Sequence, residues 1–175
     1  MVKSTKAQIQ KDEMKLLAEL QKNSNENIDT IAVHCGFSRQ KAWRMIKQLE
    51  ANKLIWGYTT VSDEKKMGLI HFIMMLKLKG IKTEEKDVDT IISRKMEESA
   101  AKLGIIMETS AYIHGEYDWI LTFTAENLTQ AKKFSDTVIC MYPHSIQKIT
   151  MMQTMIFIKK HYVLNPDRKM LKEFM

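Results

Sequence analysis

Between residues 69 and 160 the hydrophobic period changes repeatedly between two and 3.6, and this ordering constrains the fold more than any other feature. In Leu69–Lys79, Phe72, Met74, Leu76 and Leu78 share one face while the other ends in Lys77 and Lys79. That is the alternation of a half-buried strand. Residues 84–103 repeat at helical spacing, with Val88, Ile91, Ile92, Met96, Ala100 and Leu103 on an inward stripe and Gly104 as the stop. Strands at 105–114 and 117–124 follow, joined by a tight Gly115-Glu116 turn. A second helix at 127–142 turns Leu128, Ala131, Phe134, Val138 and Met141 inward, and Pro143 ends it. A last strand covers about 145–160. The order β-α-β-β-α-β is the ferredoxin-like arrangement, in which helices cover one face of an antiparallel sheet.

The uncovered face is a problem for a single chain. The last strand is apolar on both sides, with Ile149, Met151, Met155 and Phe157 on one and Ile146, Met152, Ile156 and Ile158 mostly on the other. An apolar face larger than a few hundred Å2 is a liability in a monomer. A homodimer that covers the sheet with a second subunit is therefore expected. Residues 162–175 are too polar and too short to cover it well.

Three short helices precede this domain. Met14, Leu17 and Leu20 mark the first. Asn27 caps a second that carries Ile28, Ile31 and Ala32 and closes at Gly36. Ser38 caps a third that runs to about Asn52, with Ala42, Ile46 and Leu49 inward. Helices two and three, joined by His34-Cys35-Gly36-Phe37, make a helix-turn-helix. Residues 54–61, LIWGYTTV, read as a strand, and SDEKKMG at 62–68 reads as a linker. The chain is thus α+β: a helix-turn-helix (winged-helix-like) domain at 1–53, strand and linker at 54–68, a ferredoxin-like βαββαβ domain at 69–161, and a tail at 162–175.

The third helix indicates the partner. At 100° per residue, Arg39, Gln40, Trp43, Arg44 and Lys47 lie opposite its apolar sector. That stripe holds three cations and no acid before Glu50. Arg pairs with guanine and Gln with adenine in the major groove, and Lys47 and Lys41 suit phosphates. Trp43 either touches a thymine methyl or sugar or packs back on the second helix. The net charge of +6 agrees with an anionic partner, since residues 1–60 hold ten Lys/Arg against six Asp/Glu. Double-stranded DNA is the partner this predicts, with Ser38 at the helix start among the contacts.

These residues resemble the Lrp/AsnC, or feast/famine, family of prokaryotic transcription regulators. The resemblance rests on GFSRQKAW in the helix-turn-helix, on IKQLEANKLIWGY at 46–58 and on HGEYDWIL at 114–121, and it covers about residues 11–160. It implies a sequence-specific, cytoplasmic and nucleoid-associated regulator. It also implies a homodimer that commonly builds to an octamer, and an amino-acid-like effector held near a G-x-x-D turn. Gly115 and Asp118 match that turn, and Thr150 is a weaker carry-over. A turn of this kind also needs no ligand. Four departures stand out: Lys53 where the family has Gly, Met45 where an Arg often stands, a long helix at 84–103, and the extra tail.

Other chemistries find little support. No P-loop, G-x-S-x-G, H-E-x-x-H or C-x-x-C occurs. Cys140-x-x-x-His144 straddles Pro143 without a second pair, so no metal or other cofactor is expected, and no enzyme. Two distant cysteines suit a reducing interior. No apolar run approaches the ~20 residues of a membrane span, and the start lacks the apolar core of a secretory signal. Two rivals remain: an architectural protein that coats DNA with little sequence choice, and a small-molecule enzyme built on the ferredoxin-like domain.

Overall fold

The computed structural model describes residues 5–80 and 85–175. They fall into two compact units, the chain up to Val61 together with Ile158–Met175, and Ser62–Phe157.

The first unit opens with α1 (Lys6–Lys22), α2 (Ile28–Cys35) and α3 (Arg39–Ala51). The helix starts are those the side chains dictate. Asn27 accepts from the Asp29 amide and Ser38 from the Lys41 amide, each taking up an N–H that a first turn leaves unpaired. Gly36 ends α2 at φ 66°. Leu16, Leu20, Ile31, Ala32, Cys35, Ala42 and Leu49 form the core between the three helices. Lys53 takes φ 57° just past α3, and the Leu54 amide reaches back to the Leu49 carbonyl at 2.9 Å. The backbone thus keeps the left-handed exit that a glycine would make freely. That conformation costs a non-glycine residue about 1–2 kcal/mol, and glycine's extra freedom in the unfolded chain offsets about 0.5–1. Lys53→Gly should therefore stabilise the protein by about 0.5–1 kcal/mol, seen as a higher urea midpoint; a lower midpoint would show the exit to be unstrained.

Residues 54–61 depart from the predicted strand. They pair with no other strand among the described residues. A strand exists only against a second backbone, and alternating side chains alone cannot supply it. Ile55 packs on the helical core, while Trp56 is 95% exposed.

The second unit runs β1 (Ile70–Leu78), α4 (Glu85–Ile92), α5 (Lys95–Lys102), β2 (Ile106–Tyr112), β3 (Trp119–Ala125), α6 (Leu128–Met141) and β4 (Ile146–Gln153). The sheet is antiparallel in the order β2-β3-β1-β4. Phe72, Met74 and Leu76 of β1 and Trp119, Leu121 and Phe123 of β3 pack with Met96, Ala131, Phe134 and Val138 from the helices. The Trp119 indole donates to Ser110 Oγ at 3.0 Å.

Four expectations change here. The helix expected at 84–103 is two helices, and residue 84 lies outside the described residues. Arg94 breaks it at φ 61°, and Ser93 Oγ donates to the Thr90 carbonyl at 3.0 Å instead of leaving the backbone to continue. Val88 and Ile92 are consequently exposed, as is Leu128 at the first position of α6. The last strand stops at Gln153, so Met155, Ile156 and Phe157 do not continue its alternation. Thr154 still donates to the His71 carbonyl at 2.9 Å, and Phe157 meets the His71 ring edge-on at 4.8 Å. Ile146 joins the helix-side core rather than the open face, because the β1–β4 register shifts between Lys77 and Leu78. Within the strand the alternation holds: Met74 and Met151 are paired under the helices, while Met75 opposes Thr150 and Ile73 opposes Met152 on the open face. The open face is mixed, with Ile73, Met75, Ile120 and Met152 beside Lys77, Thr122, Lys148 and Thr150.

From Ile158 the chain belongs again to the first unit. There β5 (Lys159–Lys160) and β6 (Val163–Leu164) form a small antiparallel hairpin, followed by a 3-10 turn at Arg168–Glu173. No helix among the described residues is long and apolar enough to cross a membrane.

Candidate nucleic-acid interface and ligand site

Burying Ala42 and Leu49 against α1 and α2 turns the other side of α3 outward. Ser38, Arg39, Gln40, Trp43, Arg44 and Lys47 are exposed there. Trp43 is 54% exposed, which selects the outward alternative over packing on α2. Arg44 Nε donates to the Gln40 carbonyl at 3.3 Å, and Arg44 makes no ion pair among the described residues.

The stripe is not free of acids in three dimensions. Arg39 Nη1 lies 3.0 Å from Asp29 of α2, and Lys47 lies 2.8 Å from Glu50 one turn on. Glu50 also accepts from the Tyr58 hydroxyl at 2.9 Å, and Lys47 holds its carboxyl below the ordinary glutamate range. Exposed pairs of this kind contribute little and can yield to a phosphate. Lys41 is placed differently. Its ammonium lies 2.5 Å from the nearly buried Asp12 of α1 and 4.1 Å from the centre of the Phe37 ring. The hydrogen bond from Lys41 keeps the Asp12 carboxyl below its usual range. Lys41 thus joins α1 to α3, a contact that spacing along one helix cannot reveal.

The second candidate site gathers at one end of the open sheet face. Asp118 Oδ2 accepts from the Leu78 amide at 2.9 Å and lies 3.1 Å from Lys77 Nζ. The Leu78 amide, and then Lys77, hold the Asp118 carboxyl below the ordinary aspartate range. The Tyr117 hydroxyl and Thr150 Oγ1 are 2.9 Å apart, and Lys148 lies over the Tyr117 ring at 5.7 Å. Lys77 and Lys148 are register partners. Of the residues expected here, Asp118 and Thr150 are brought together through Lys77 and Tyr117. Gly115 stands in the connecting loop at φ 153°, a backbone that favours glycine, and no atom lies within 4 Å of where its Cβ would be. The turn accounts for the glycine, and the space beside it is open. Lys77, Tyr117 and Lys148 were missed as site residues; the lysine pair across β1 and β4 is their only sequence trace, and it needs the register to be read.

Asp118 is already an acceptor before any ligand arrives. Its folded pKa lies below the ordinary 3.8. Its contribution to stability is therefore complete above that value and is lost as pH falls through the folded one. Asp118→Asn should flatten the acid-unfolding curve below pH 4, followed by circular dichroism; a curve as steep as the wild type would remove Asp118 from the groups that drive acid unfolding.

No family model and no curated protein matches the chain. Solved structures do match. A transcriptional regulator from Neisseria meningitidis in complex with L-Met superposes with a TM-score of 0.65 at 18% identity, over 89% of this chain and 95% of that one. An AsnC family transcriptional regulator from Agrobacterium tumefaciens gives 0.63 at 17% identity, over 89% and 96%. LrpC of B. subtilis gives 0.60 at 19% identity, over 91% and 99%. At these identities the likeness is one of fold: the chain has the helix-turn-helix plus ferredoxin-like architecture of Lrp/AsnC-type regulators.

Proposed function

We propose that the chain is a sequence-specific DNA-binding transcription regulator of the Lrp/AsnC type and not an enzyme. The observation that carries this is the exposed set Gln40, Trp43 and Arg44 on the outer side of α3, the third helix of a helix-turn-helix. Arg39 and Lys47 join them once DNA displaces their carboxylate partners. Ser38 accepts from the Lys41 amide and has its hydroxyl hydrogen left to donate to a phosphate, and Lys41 serves the helix joint. We place the protein in the cytoplasm of a prokaryote, on the nucleoid. A homodimer, building to an octamer, covers the open sheet face and sets two readers about 10 base pairs apart or multiples of that.

Binding the wild-type chain to a panel of genomic fragments and to shuffled duplexes tests the reading. Preference for a subset supports it. Equal affinity for all would favour the architectural alternative, and no affinity for any would end both.

The effector reading follows from the cluster at Asp118. An amino acid is a zwitterion. Lys77 and Lys148 can take its carboxylate, and the lone pairs that Asp118 does not give to Leu78 can take its ammonium. The N. meningitidis regulator, solved with L-Met, supports methionine as the first candidate. Thermal shift against the twenty amino acids, with Asp118→Ala as control, decides the matter. A shift with one of them that the variant loses supports the site; no shift, or an equal one in the variant, rejects it.

A further inference from the structure

The net charge is divided unevenly between the two units. The unit that contains α3, the chain up to Val61 with Ile158–Met175, holds fifteen Lys/Arg against eight Asp/Glu, a net of +7. Ser62–Phe157 holds twelve against thirteen, a net of −1. All of the excess lies in the unit that holds the helix-turn-helix, and residues 158–175 supply +3 of it, from five Lys/Arg and two Asp/Glu.

These cations stand on built structure. The hairpin pairs Lys159 with Leu164 and Lys160 with Val163, and turns through His161 and Tyr162 at φ 44° and 23°. Lys159 lies over the Tyr162 ring at 5.8 Å. Asn165 then fixes the next turn: its amide donates to the Ile158 carbonyl at 3.0 Å, and its side-chain oxygen accepts from the Asp167 amide at 2.8 Å. Arg168 Nη1 donates to the Asn165 carbonyl at 3.2 Å. Lys159, Lys169 and Lys172 are exposed. A solvated tail would need none of this bonding.

We propose that the C-terminal hairpin and turn form a second DNA-contacting element, holding duplex phosphates through Lys159, Lys169 and Lys172 while α3 reads bases. This rests on the DNA-binding reading of α3. Lysines are point charges without the planar fork that reads a base edge, so they position the protein without selecting sequence. The other candidate occupant is a second copy, suggested by exposed Val163, Leu164 and Phe174. An isologous contact would set one +3 segment against another, and like charges across an interface oppose association.

The test follows DNA affinity of the full chain against KCl concentration, on one preferred and one shuffled duplex. Lys159→Gln/Lys169→Gln/Lys172→Gln should lower the slope of log affinity against log salt by about 2–3, roughly 0.9 for each phosphate that is no longer neutralised. It should weaken both duplexes by the same factor and leave sedimentation unchanged. The three Lys→Arg changes together should keep the wild-type slope, and Lys169→Gln alone should lower it by about 1, which reads the element even if the triple change unfolds it. A wild-type slope in both Gln variants, or smaller assemblies with an unchanged slope, would overturn the proposal. In that case Arg44→Ala still tells the two readings apart: if it loses discrimination between the duplexes, α3 reads DNA and the hairpin does not touch it.

Discussion

Phe123→Ala should lower the stability of the Ser62–Phe157 unit by about 3–5 kcal/mol. The side chain is fully buried on β3, stacked on Phe72 at 5.6 Å between centroids and edge-on to Phe134 at 5.0 Å. It therefore ties β1 and β3 to α6, and its removal takes away both the buried area and two aromatic contacts worth about 0.5–1.5 kcal/mol each. The surrounding residues lie on a paired sheet and a helix, which cannot close over the gap without breaking register. Urea unfolding followed by circular dichroism measures the loss. A change below about 1 kcal/mol would mean that the helices settle onto the sheet and that Phe123 is not central to the packing.

Arg44→Ala should weaken binding to a preferred duplex by about 1–3 kcal/mol and relax base choice at one position of the site. Arg44 is exposed beyond the first turn of α3, and its single hydrogen bond to the Gln40 carbonyl inclines it along the helix without neutralising it. Lys47→Ala should behave differently. Lys47 leaves an existing partner, Glu50, to meet a phosphate, so its loss should be smaller and alike on all sequences. Binding curves on a preferred and a shuffled duplex separate the two. Equal losses on both duplexes for Arg44→Ala would move it from base reading to the backbone.

Local chemistry made most of the fold legible. Asn27, Ser38, Gly36 and Gly104 cap or close helices by their own side chains or backbone freedom, and the structure puts them in those roles. The alternation of Phe72, Met74 and Leu76 survives because each residue faces the helices. What local pattern could not supply is a partner from elsewhere in the chain. LIWGYTTV alternates like a strand, but no described strand pairs with it. The residues after Gln153 alternate too, yet they leave the sheet after Thr154, whose amide and hydroxyl both bond to His71. Arg94 in the left-handed region splits a helix whose apolar spacing runs straight through the break. The candidate sites follow the same rule. The outward face of α3 was readable from one helix, while Asp29 beside Arg39, Asp12 beside Lys41 and Lys77 beside Asp118 come from other elements.

The three tryptophans stand in three different surroundings, and this gives the protein its own spectroscopic reporters. Trp119 is 3% exposed in the sheet core, Trp43 is half-exposed on α3, and Trp56 is almost fully exposed after it. A buried indole emits further to the blue than a hydrated one and resists iodide. Quenching of the native protein should thus act on Trp56 and Trp43 and spare Trp119. DNA should shield Trp43 from iodide, and a partner seated on residues 54–61 should shield Trp56. With Trp→Phe changes leaving one indole at a time, a single fluorimeter can follow unfolding and DNA binding as separate events in an unlabelled chain.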